Sequence, residues 1–279
     1  MSQTNETTSK KAFVDDQSKN PPPINVFEVL IRKFARSTYM GVVVLMYLLA
    51  SLIIGIALAP AIWLTSTLSA WIPTPTSSVL DWIVQGTVYG LAFITAGLSL
   101  MLTVVVFNKI LPTRCKPFKG GYYTIHAIPW FLHNGLFYLV RYTFLPFVTL
   151  TPFGVWFLKG MGMKIGRHAF VNTEYISDPS LIEIGDDVAV GGSVRMFAHY
   201  GGGGNLVISS VKIGNRVTLG AGVCVMGDVV IEEGATILPN SVLLPGSRVP
   251  AGTTWGGVPA RPIPREEMVE MKARIRGLK

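Results

Sequence analysis

The chain has 279 residues, of which 49% are hydrophobic and only 14% charged, and its mean hydropathy is +0.45. So few charges cannot cover a globule of this size with solvated surface, because charged residues normally make up about a quarter of a soluble domain. The composition therefore excludes a simple soluble domain, a coiled coil and a disordered regulator. The two cysteines, Cys115 and Cys224, lie far apart and form neither a disulfide framework nor a zinc pattern.

The N-terminal residues are polar, and residues 1–22 are interpreted as a disordered tail. No apolar core follows Met1, so the pattern is not that of a cleaved secretory signal. Between Ile24 and Arg36, apolar residues recur at helical spacing beside three basic residues. This pattern predicts a short juxtamembrane amphipathic helix lying on an anionic surface.

Two long apolar runs come next. From Ser37 to Asn108 the only charged residue is Asp81, and the runs Tyr39–Leu64 and Trp82–Asn108 flank a connector rich in Pro, Ser and Thr. Helices of this length reach roughly 40 Å, which is enough to cross a hydrocarbon layer roughly 30 Å thick. Two buried core helices would need a large soluble protein around them, which this chain lacks. Residues 23–120 are therefore predicted to hold the juxtamembrane helix and two transmembrane helices, with the lipid bilayer as partner.

The net charge of +8 is unevenly distributed around these runs. The connector has no lysine or arginine, whereas basic residues precede the first run and follow the second: Arg32, Lys33, Arg36, Lys109, Arg114, Lys116 and Lys119. By the positive-inside rule, both ends of the hairpin face the cytoplasm. The predicted localisation is a multi-pass membrane protein whose C-terminal half is cytoplasmic.

Residues 121–160 contain further apolar stretches that three prolines interrupt. Neither stretch is a comfortable span, so interfacial or half-inserted helices are the favoured interpretation. A crossing within this segment would place everything after it on the other side of the membrane, and the sequence leaves that alternative open. His126 and His133 are interpreted as polar anchors at the level of the lipid head groups.

From residue 160 onward the sequence repeats with a period of six. A column of large apolar residues and a column of small or β-branched residues two positions earlier both keep this period. The large column comprises Ile213, Leu219, Val225, Ile231, Ile237, Leu243, Val249 and Trp255, and the small column Val211, Val217, Val223, Val229, Ala235, Ser241, Ser247 and Thr253. Three hexads make one triangular coil, and successive coils stack as parallel strands. Residues 161–262 are predicted to form a parallel β-helix of about five coils rather than a sandwich, whose strands would be irregularly spaced.

One interruption of the repeat marks a candidate site. The step from Met196 to Ile213 is seventeen residues rather than eighteen, and it contains the run Gly201–Gly204. Four glycines cannot hold a coil edge, so a loop is predicted to leave the prism there, with His199 at its entrance. Beyond the coils, residues 263–279 are predicted to form a charged terminal helix that could cap the open end.

His199 is the candidate general base, because imidazole titrates near neutral pH and acyl transfer removes a proton from the acceptor. Glu174 and Asp178 are acids that could orient His199 or the acceptor, although exposed acids in turns are common. A bare histidine in a turn is also often structural, so the residues alone leave both interpretations open. Cys224 lies between the two columns and is interpreted as a small packing residue rather than a nucleophile.

The hexad coils, a loop led by a histidine and the closing stretch Gly256–Pro262 together resemble the hexapeptide-repeat acyltransferases. A closer likeness, over about residues 150–262, is to the membrane-attached terminal region of certain nonribosomal peptide synthetases. It is carried by Thr173-Glu174, by residues 181–186 and by the spacing from His199 to the Val-x-Ile-Gly element at Val211. These relatives usually carry an acidic and basic cluster after the histidine, where this chain has four glycines. That departure bears on the acceptor more than on the fold.

The resemblance implies a left-handed parallel β-helix that assembles as a homotrimer, with three sites between neighbouring prisms. Acetyl-CoA or a longer acyl-CoA would lie along the groove between subunits as co-substrate. His199 would act as general base on an acceptor hydroxyl or amine, with Glu174 as the second catalytic candidate. The residues expected to contact CoA are Lys212, Arg216, Gly220, Gly257, Ala260 and Arg261, the basic ones through the nucleotide phosphates. Solvated basic residues would look the same in sequence.

Several classes of function are weighed on these observations. A membrane-anchored acyltransferase acting on a membrane-proximal acceptor is favoured, although the sequence names neither the acceptor nor the length of the acyl chain. A zinc enzyme of the β-helix carbonic anhydrase type is disfavoured, because only His168 and His199 lie in the coils and their spacing does not fit; no metal is expected. A non-catalytic trimeric scaffold or assembly factor is the alternative, which the glycine loop supports. A channel is disfavoured because the spans lack paired charges, and no nucleic-acid partner is expected.

Overall fold

A computed structural model of the chain describes residues 22–23, 26–72, 78–122, 124–202 and 205–277. The expected disordered tail, residues 1–22, lies outside the described residues except for Pro22. The fold class predicted from the sequence is confirmed: long apolar helices are followed by a parallel β-helix and a short C-terminal helix. The helices are α1 Val26–Lys33, α2 Ala35–Trp71, α3 Val79–Ile110, α4 Ile128–Arg141, α5 Leu145–Val148, α6 Pro152–Gly160 and α7 Arg265–Gly277.

Helices α2 and α3 are the two long apolar helices, and they pack against each other. Within the described residues they contain two segments long and apolar enough to cross a membrane, Met40–Trp71 and Val79–Ile110. In the most apolar stretch of each segment, only 11% and 33%, respectively, is buried inside the protein. Most of their apolar side chains therefore face outward, which distinguishes them from helices in the core of a soluble domain.

Residues 121–160 form short helices that pack on the β-helix. A single 3₁₀ turn, Ile125–Ala127, precedes α4, and a proline occupies the first turn of each of α4, α5 and α6. Proline is tolerated at that position because the missing N–H has no partner within the helix anyway. Helices α4 and α6 contact α3, and α6 also contacts the first strand of the β-helix. His133, expected at the level of the lipid head groups, is instead buried.

The β-helix has three faces, each a parallel sheet. The first face contains β2 Lys164–Ile165, β5 Ile182–Ile184, β10 Val211–Ile213, β13 Val230–Ile231 and β16 Arg248–Val249. The second contains β3 Phe170–Val171, β6 Ala189–Val190, β11 Thr218–Leu219, β14 Thr236–Ile237 and β17 Thr254–Gly256, with β18 Arg261–Pro262 antiparallel at its edge. The third contains β4 Ile176–Ser177, β7 Arg195–Phe197, β12 Cys224–Val225 and β15 Val242–Leu243.

The hexad columns form the core of this prism. In the later coils, paired residues are 18 positions apart, as in Lys212 with Val230 and Thr218 with Thr236. Every large-column residue from Ile213 to Val249 is at most 2% exposed, and Trp255 closes the column half-buried. The small column is buried from Val211 to Ser241. Apolar residues recur every six positions because each of the three faces contributes one inward side chain per coil.

The loop expected at the interrupted repeat is an antiparallel hairpin that leaves the prism. Its strands are β8 His199–Gly202 and β9 Asn205–Ile208, and β1 Phe118–Gly120 pairs with β9 on the other side. Leu206 and Ile208 are buried with Ala127 in a small second core. The hairpin is therefore held between the β-helix and the segment that leads into α4.

Candidate functional site

A buried aspartate holds the ring of His199. The Asp178 side chain is fully buried, and its Oδ2 lies 2.6 Å from His199 Nδ1. The same oxygen accepts the backbone N–H of Ala198 at 3.1 Å. Asp178 follows β4 on the third face and has a left-handed backbone (φ 59°), a conformation that Asp tolerates better than most residues. The turn after β4 and the hairpin after β7 thus bring an acid and an imidazole together.

The second oxygen of Asp178 is held by helix α4. Oδ1 accepts from Trp130 Nε1 and from Asn134 Nδ2, each at 2.7 Å. Asn134 Oδ1 in turn accepts the backbone N–H of Asp178 at 3.3 Å. Trp130 and Asn134 lie four residues apart, so they share one face of the helix. With four N–H groups directed at its two oxygens, the carboxylate is fixed in position and orientation.

This arrangement assigns the tautomer of His199. Because the carboxylate oxygens act as acceptors, Nδ1 carries the proton and donates it to Asp178, and Nε2 is left as a hydrogen-bond acceptor. Within the described part of the chain, Nε2 has no hydrogen-bond partner, and the His199 side chain is 23% exposed. The ring packs edge-on against Trp130, with 4.9 Å between centroids. The site therefore presents a proton acceptor to the surface from an oriented imidazole.

A second polar cluster supports the segment that carries Asp178. Ser177 Oγ accepts from an Arg141 guanidinium nitrogen at 3.2 Å and lies 3.1 Å from Tyr138 Oη. The Arg141 guanidinium is buried among the rings of Tyr138, Tyr142 and Tyr175, at 5.1–5.8 Å from their centroids. No acid lies within ion-pair distance of Arg141 among the residues that the structure describes. The guanidinium therefore relies on cation–π contacts and on Ser177.

Within the described ranges, the other residues expected at the site make no hydrogen bond or ion pair with His199. Glu174 is half-buried, and its backbone carbonyl accepts the N–H of Ile176 at 2.8 Å. Asp178, the other acid considered as a partner of His199, is the one that contacts its imidazole. Lys212 is exposed on the first face, and Arg216 pairs with Glu233 at the corner between the first and second faces.

Four of the six residues expected to contact CoA share one corner of the prism. Gly220 and Gly257 lie between the second and third faces, two coils apart, and Ala260 and Arg261 follow Gly257. Gly257 has a left-handed backbone (φ 96°) and donates its N–H to Ser241 Oγ at 3.1 Å. A side chain on Gly220 would collide with the backbone of Pro239. Glycine at position 220 therefore allows successive coils to pack closely at this corner. Lys212 and Arg216 lie elsewhere on the same chain.

The cysteines are poor candidates for a nucleophile. Burial raises the pKa of Cys115 to about 12, and the nearby Asp178 carboxylate acts in the same direction. Burial also raises the pKa of Cys224. A thiol must ionise to attack, so neither residue is activated. Over the described ranges no group of three His, Cys, Asp or Glu side chains is arranged to hold a metal ion.

His133 precedes Asn134 on α4 and is buried as a neutral ring. Its Nδ1 lies 2.9 Å from Asn108 Oδ1, and its buried Nε2 has no partner in the described structure. Burial lowers the pKa of His133 to about 4, although the Asp178 carboxylate raises it in part. The ring therefore stays uncharged at physiological pH.

We expect His133 to make the protein less stable on acidification from pH 6.5 to 4. In this range the unfolded chain binds a proton at the histidine while the folded chain does not, so the unfolded state is favoured by up to about 3 kcal/mol at pH 4. Between pH 7 and 5 the melting temperature of the detergent-solubilised protein should fall by roughly 5 °C more than that of a His133→Gln variant. His126→Gln, at an exposed histidine stacked on Phe118, is the control and should keep the full fall. Identical falls in all three proteins would contradict the assignment.

Two contacts at the candidate site are not anticipated from the sequence. Trp130 and Asn134 belong to the segment interpreted as interfacial, and their i, i+4 spacing places both polar groups on one face of a mainly apolar helix. That spacing is the signal in the sequence that could have indicated a shared polar partner. No local pattern identifies this partner as Asp178, which lies more than 40 positions further along the chain.

Parts of this chain are similar to a known protein family and to a curated protein. Residues 207–249 match the family described as bacterial transferase hexapeptide (six repeats). A curated protein, the delta-poly-L-ornithine synthetase of Acinetobacter baumannii (strain AB307-0294), is 24% identical over 176 residues. The match covers 62% of this chain but only 13% of that protein, so the chain corresponds to about an eighth of the relative's length.

Several solved structures similar to this chain are acetyltransferases. A hexapeptide-repeat acetyltransferase from Vibrio cholerae is 27% identical, with a TM-score of 0.34, and the match covers 38% of this chain and 63% of that one. A maltose O-acetyltransferase from Clostridium difficile 630 is 18% identical, with a TM-score of 0.41, covering 53% and 92%. A galactoside acetyltransferase in complex with coenzyme A is 19% identical, with a TM-score of 0.39, covering 47% and 80%.

Proposed function

The C-terminal part of this chain belongs to the hexapeptide-repeat transferase family, and from that premise we propose that the protein is a membrane-anchored, CoA-dependent acyltransferase. It transfers an acetyl or longer acyl group from acyl-CoA to a hydroxyl or amine of a membrane-proximal acceptor. The observation that carries the proposal is the 2.6 Å hydrogen bond from His199 to the buried Asp178, which leaves Nε2 of the imidazole as the proton acceptor.

The proposed reaction is a direct transfer. As the acceptor oxygen or nitrogen attacks the thioester carbonyl, its proton moves to Nε2 of His199. The bond between the carbonyl carbon and sulfur then breaks, and the CoA sulfur leaves with the proton from the imidazolium. Asp178 stabilises the imidazolium and holds the ring, as the acid of a catalytic triad does. Direct transfer is preferred to an acyl-enzyme because both thiols have raised pKa values.

Acyl-CoA is the proposed co-substrate, and the corner with Gly220 and Gly257 is the proposed place for it. Gly257 and Ala260 present no large side chain to an extended ligand, and Arg261 supplies an exposed cation for phosphate. In the proposed homotrimer this corner of one protomer adjoins the His199 hairpin of its neighbour. Lys212 and Arg216, which lie elsewhere on the chain, would meet CoA only from such a neighbouring copy.

The membrane part of the proposal has α2 and α3 crossing the bilayer as a hairpin with both ends in the cytoplasm, where CoA is available. The outward apolar faces of both helices and the basic residues that flank them support this arrangement. Helix α4 then lies at the membrane surface, where it contacts α3 and holds Asp178. In this proposal the membrane anchor therefore contacts the His199–Asp178 pair directly, through α4.

The full chain in nanodiscs is expected to bind acetyl-CoA and to release free CoA when membrane extract supplies the acceptor. Binding is measured by calorimetry, and free CoA is measured with a thiol reagent. A non-catalytic trimeric scaffold is the second candidate, and the four glycines in place of the charged cluster of its relatives favour it. A scaffold would show neither heat of binding nor CoA release, and that result would contradict the acyltransferase proposal.

A further inference from the structure

A large apolar groove lies beside the catalytic pair, between the membrane hairpin and α4. Its volume is about 610 Å³, within the range of pockets that enclose whole ligands. One wall is α2 between Val42 and Ala50, and the other is formed by residues 128–143. Tyr122 and Thr124 complete the lining. None of the lining residues carries a charge, and the polar atoms among their side chains are hydroxyls alone.

The chemistry of this lining selects a hydrocarbon chain. Aliphatic and aromatic side chains without a cation offer nothing to a phosphate or a carboxylate, whereas they match the CH₂ groups of a lipid. The α2 wall belongs to a helix with much exposed apolar surface, including Leu45 and Leu48 at 66% and 63% exposure. The groove is therefore continuous with the surface that faces the bilayer in the proposed function, so a chain can enter from the membrane.

The same groove adjoins the His199 hairpin. Phe131, which lines it, packs on Trp130 with 4.8 Å between ring centroids, and Trp130 packs on His199 at 4.9 Å. Tyr122 also touches the hairpin: a Cβ on Gly201 would lie 2.8 Å from its Oη. A molecule anchored in the groove by its tail would therefore bring its head group within reach of the imidazole.

We propose that this groove binds the hydrocarbon chain of the acyl acceptor, a membrane lipid with a hydroxyl or amine head group. The inference rests on the proposed function and names its substrate class. The acceptor is the favoured occupant over the acyl chain of the donor, because the head group of CoA carries several phosphates and the cations proposed to meet them lie on the β-helix. Binding the tail would hold the head group close to Nε2 and would lower the entropy cost of the transfer.

The test is photo-crosslinking with a diazirine-bearing hexadecanol added to the full chain in nanodiscs, with labelled residues mapped by mass spectrometry. Labelling is expected to concentrate on α4 and on residues 42–50 of α2. Leu132→Trp and Val43→Trp, one from each wall, fill the groove and should each lower this labelling about tenfold. Folding of each variant is checked by its thermal transition. If one variant fails to fold, the variant on the other wall still tests the inference.

Leu102→Trp is the matched control, because Leu102 is an exposed leucine on α3 that lies outside the groove. It should leave the labelling within twofold of the unchanged chain. Labelling should also persist in a His199→Ala variant, which separates loss of the groove from loss of the proposed chemistry. Even labelling over all outward faces of α2 and α3 would overturn the inference. Displacement of the probe by palmitoyl-CoA but not by unlabelled hexadecanol would also overturn it, by assigning the groove to the donor.

Discussion

A His199→Ala variant is expected to release CoA about 10²–10⁴ times more slowly than the unchanged chain when membrane extract supplies the acceptor. The reason is that Nε2 of His199 is the proton acceptor that Asp178 orients, and a methyl group cannot replace it. Free CoA is followed with a thiol reagent at pH 7.5. The fold should survive, because the histidine side chain is partly exposed and alanine fits the hairpin strand.

The matched control for this variant is His168→Ala. His168 also faces an aspartate in a turn of the same β-helix, with 3.3 Å between Nδ1 and Asp187 Oδ1, but both side chains are mostly exposed. Activity should stay within about twofold, because exposed pairs of this kind contribute little. Full turnover by the His199 variant, or an equal loss in both variants, would contradict the assignment of the base.

An Asp178→Asn variant is expected to lower kcat on the order of 10²-fold. If the amide of asparagine points its NH₂ at His199, it donates to Nδ1, and the proton moves to Nε2, which can no longer accept. If it points its oxygen there, the NH₂ faces the donors of Trp130 and Asn134 instead. Either orientation spoils the geometry, although asparagine tolerates the left-handed backbone as aspartate does.

The measurement separates catalysis from stability. Unpaired buried donors cost about 1–3 kcal/mol each, so the thermal transition of the Asp178→Asn variant should fall as well. Activity is therefore compared below that transition, where both proteins are folded, and the loss should lie in kcat with KM for acetyl-CoA little changed. Asp187→Asn, at an exposed aspartate with a similar backbone (φ 56°), is the control and should behave as the unchanged chain. An unchanged kcat in Asp178→Asn would sink the proposed role.

The contact between α4 and Asp178 gives the helical half of the chain a structural part in the candidate site. A tether alone would only hold the β-helix near a bilayer, whereas α4 supplies two of the four donors that fix the Asp178 carboxylate. The same helix lines the apolar groove with its other side. Helix α4 therefore couples the proposed lipid site to the proposed base through one turn of backbone.

Most of the fold could be predicted from local patterns. The period of six required a triangular coil because every hexad must place one apolar side chain inside the prism, whatever surrounds it. The two long apolar runs became α2 and α3 for a similar reason, since their length and lack of charge are properties of each segment alone. The interrupted repeat marked the hairpin and His199, because a change of register is visible without knowledge of the partner.

What the sequence by itself determined is thus the pair of apolar helices, the coils and the position of the protruding histidine. Only the tertiary structure decided that Asp178, and not Glu174, lies against that histidine, and that Trp130 and Asn134 reach across from α4. Hydrogen bonds between segments more than 40 positions apart leave no period in the sequence. They depend on how the short helices pack on the first coils, and that packing is fixed by the whole apolar core.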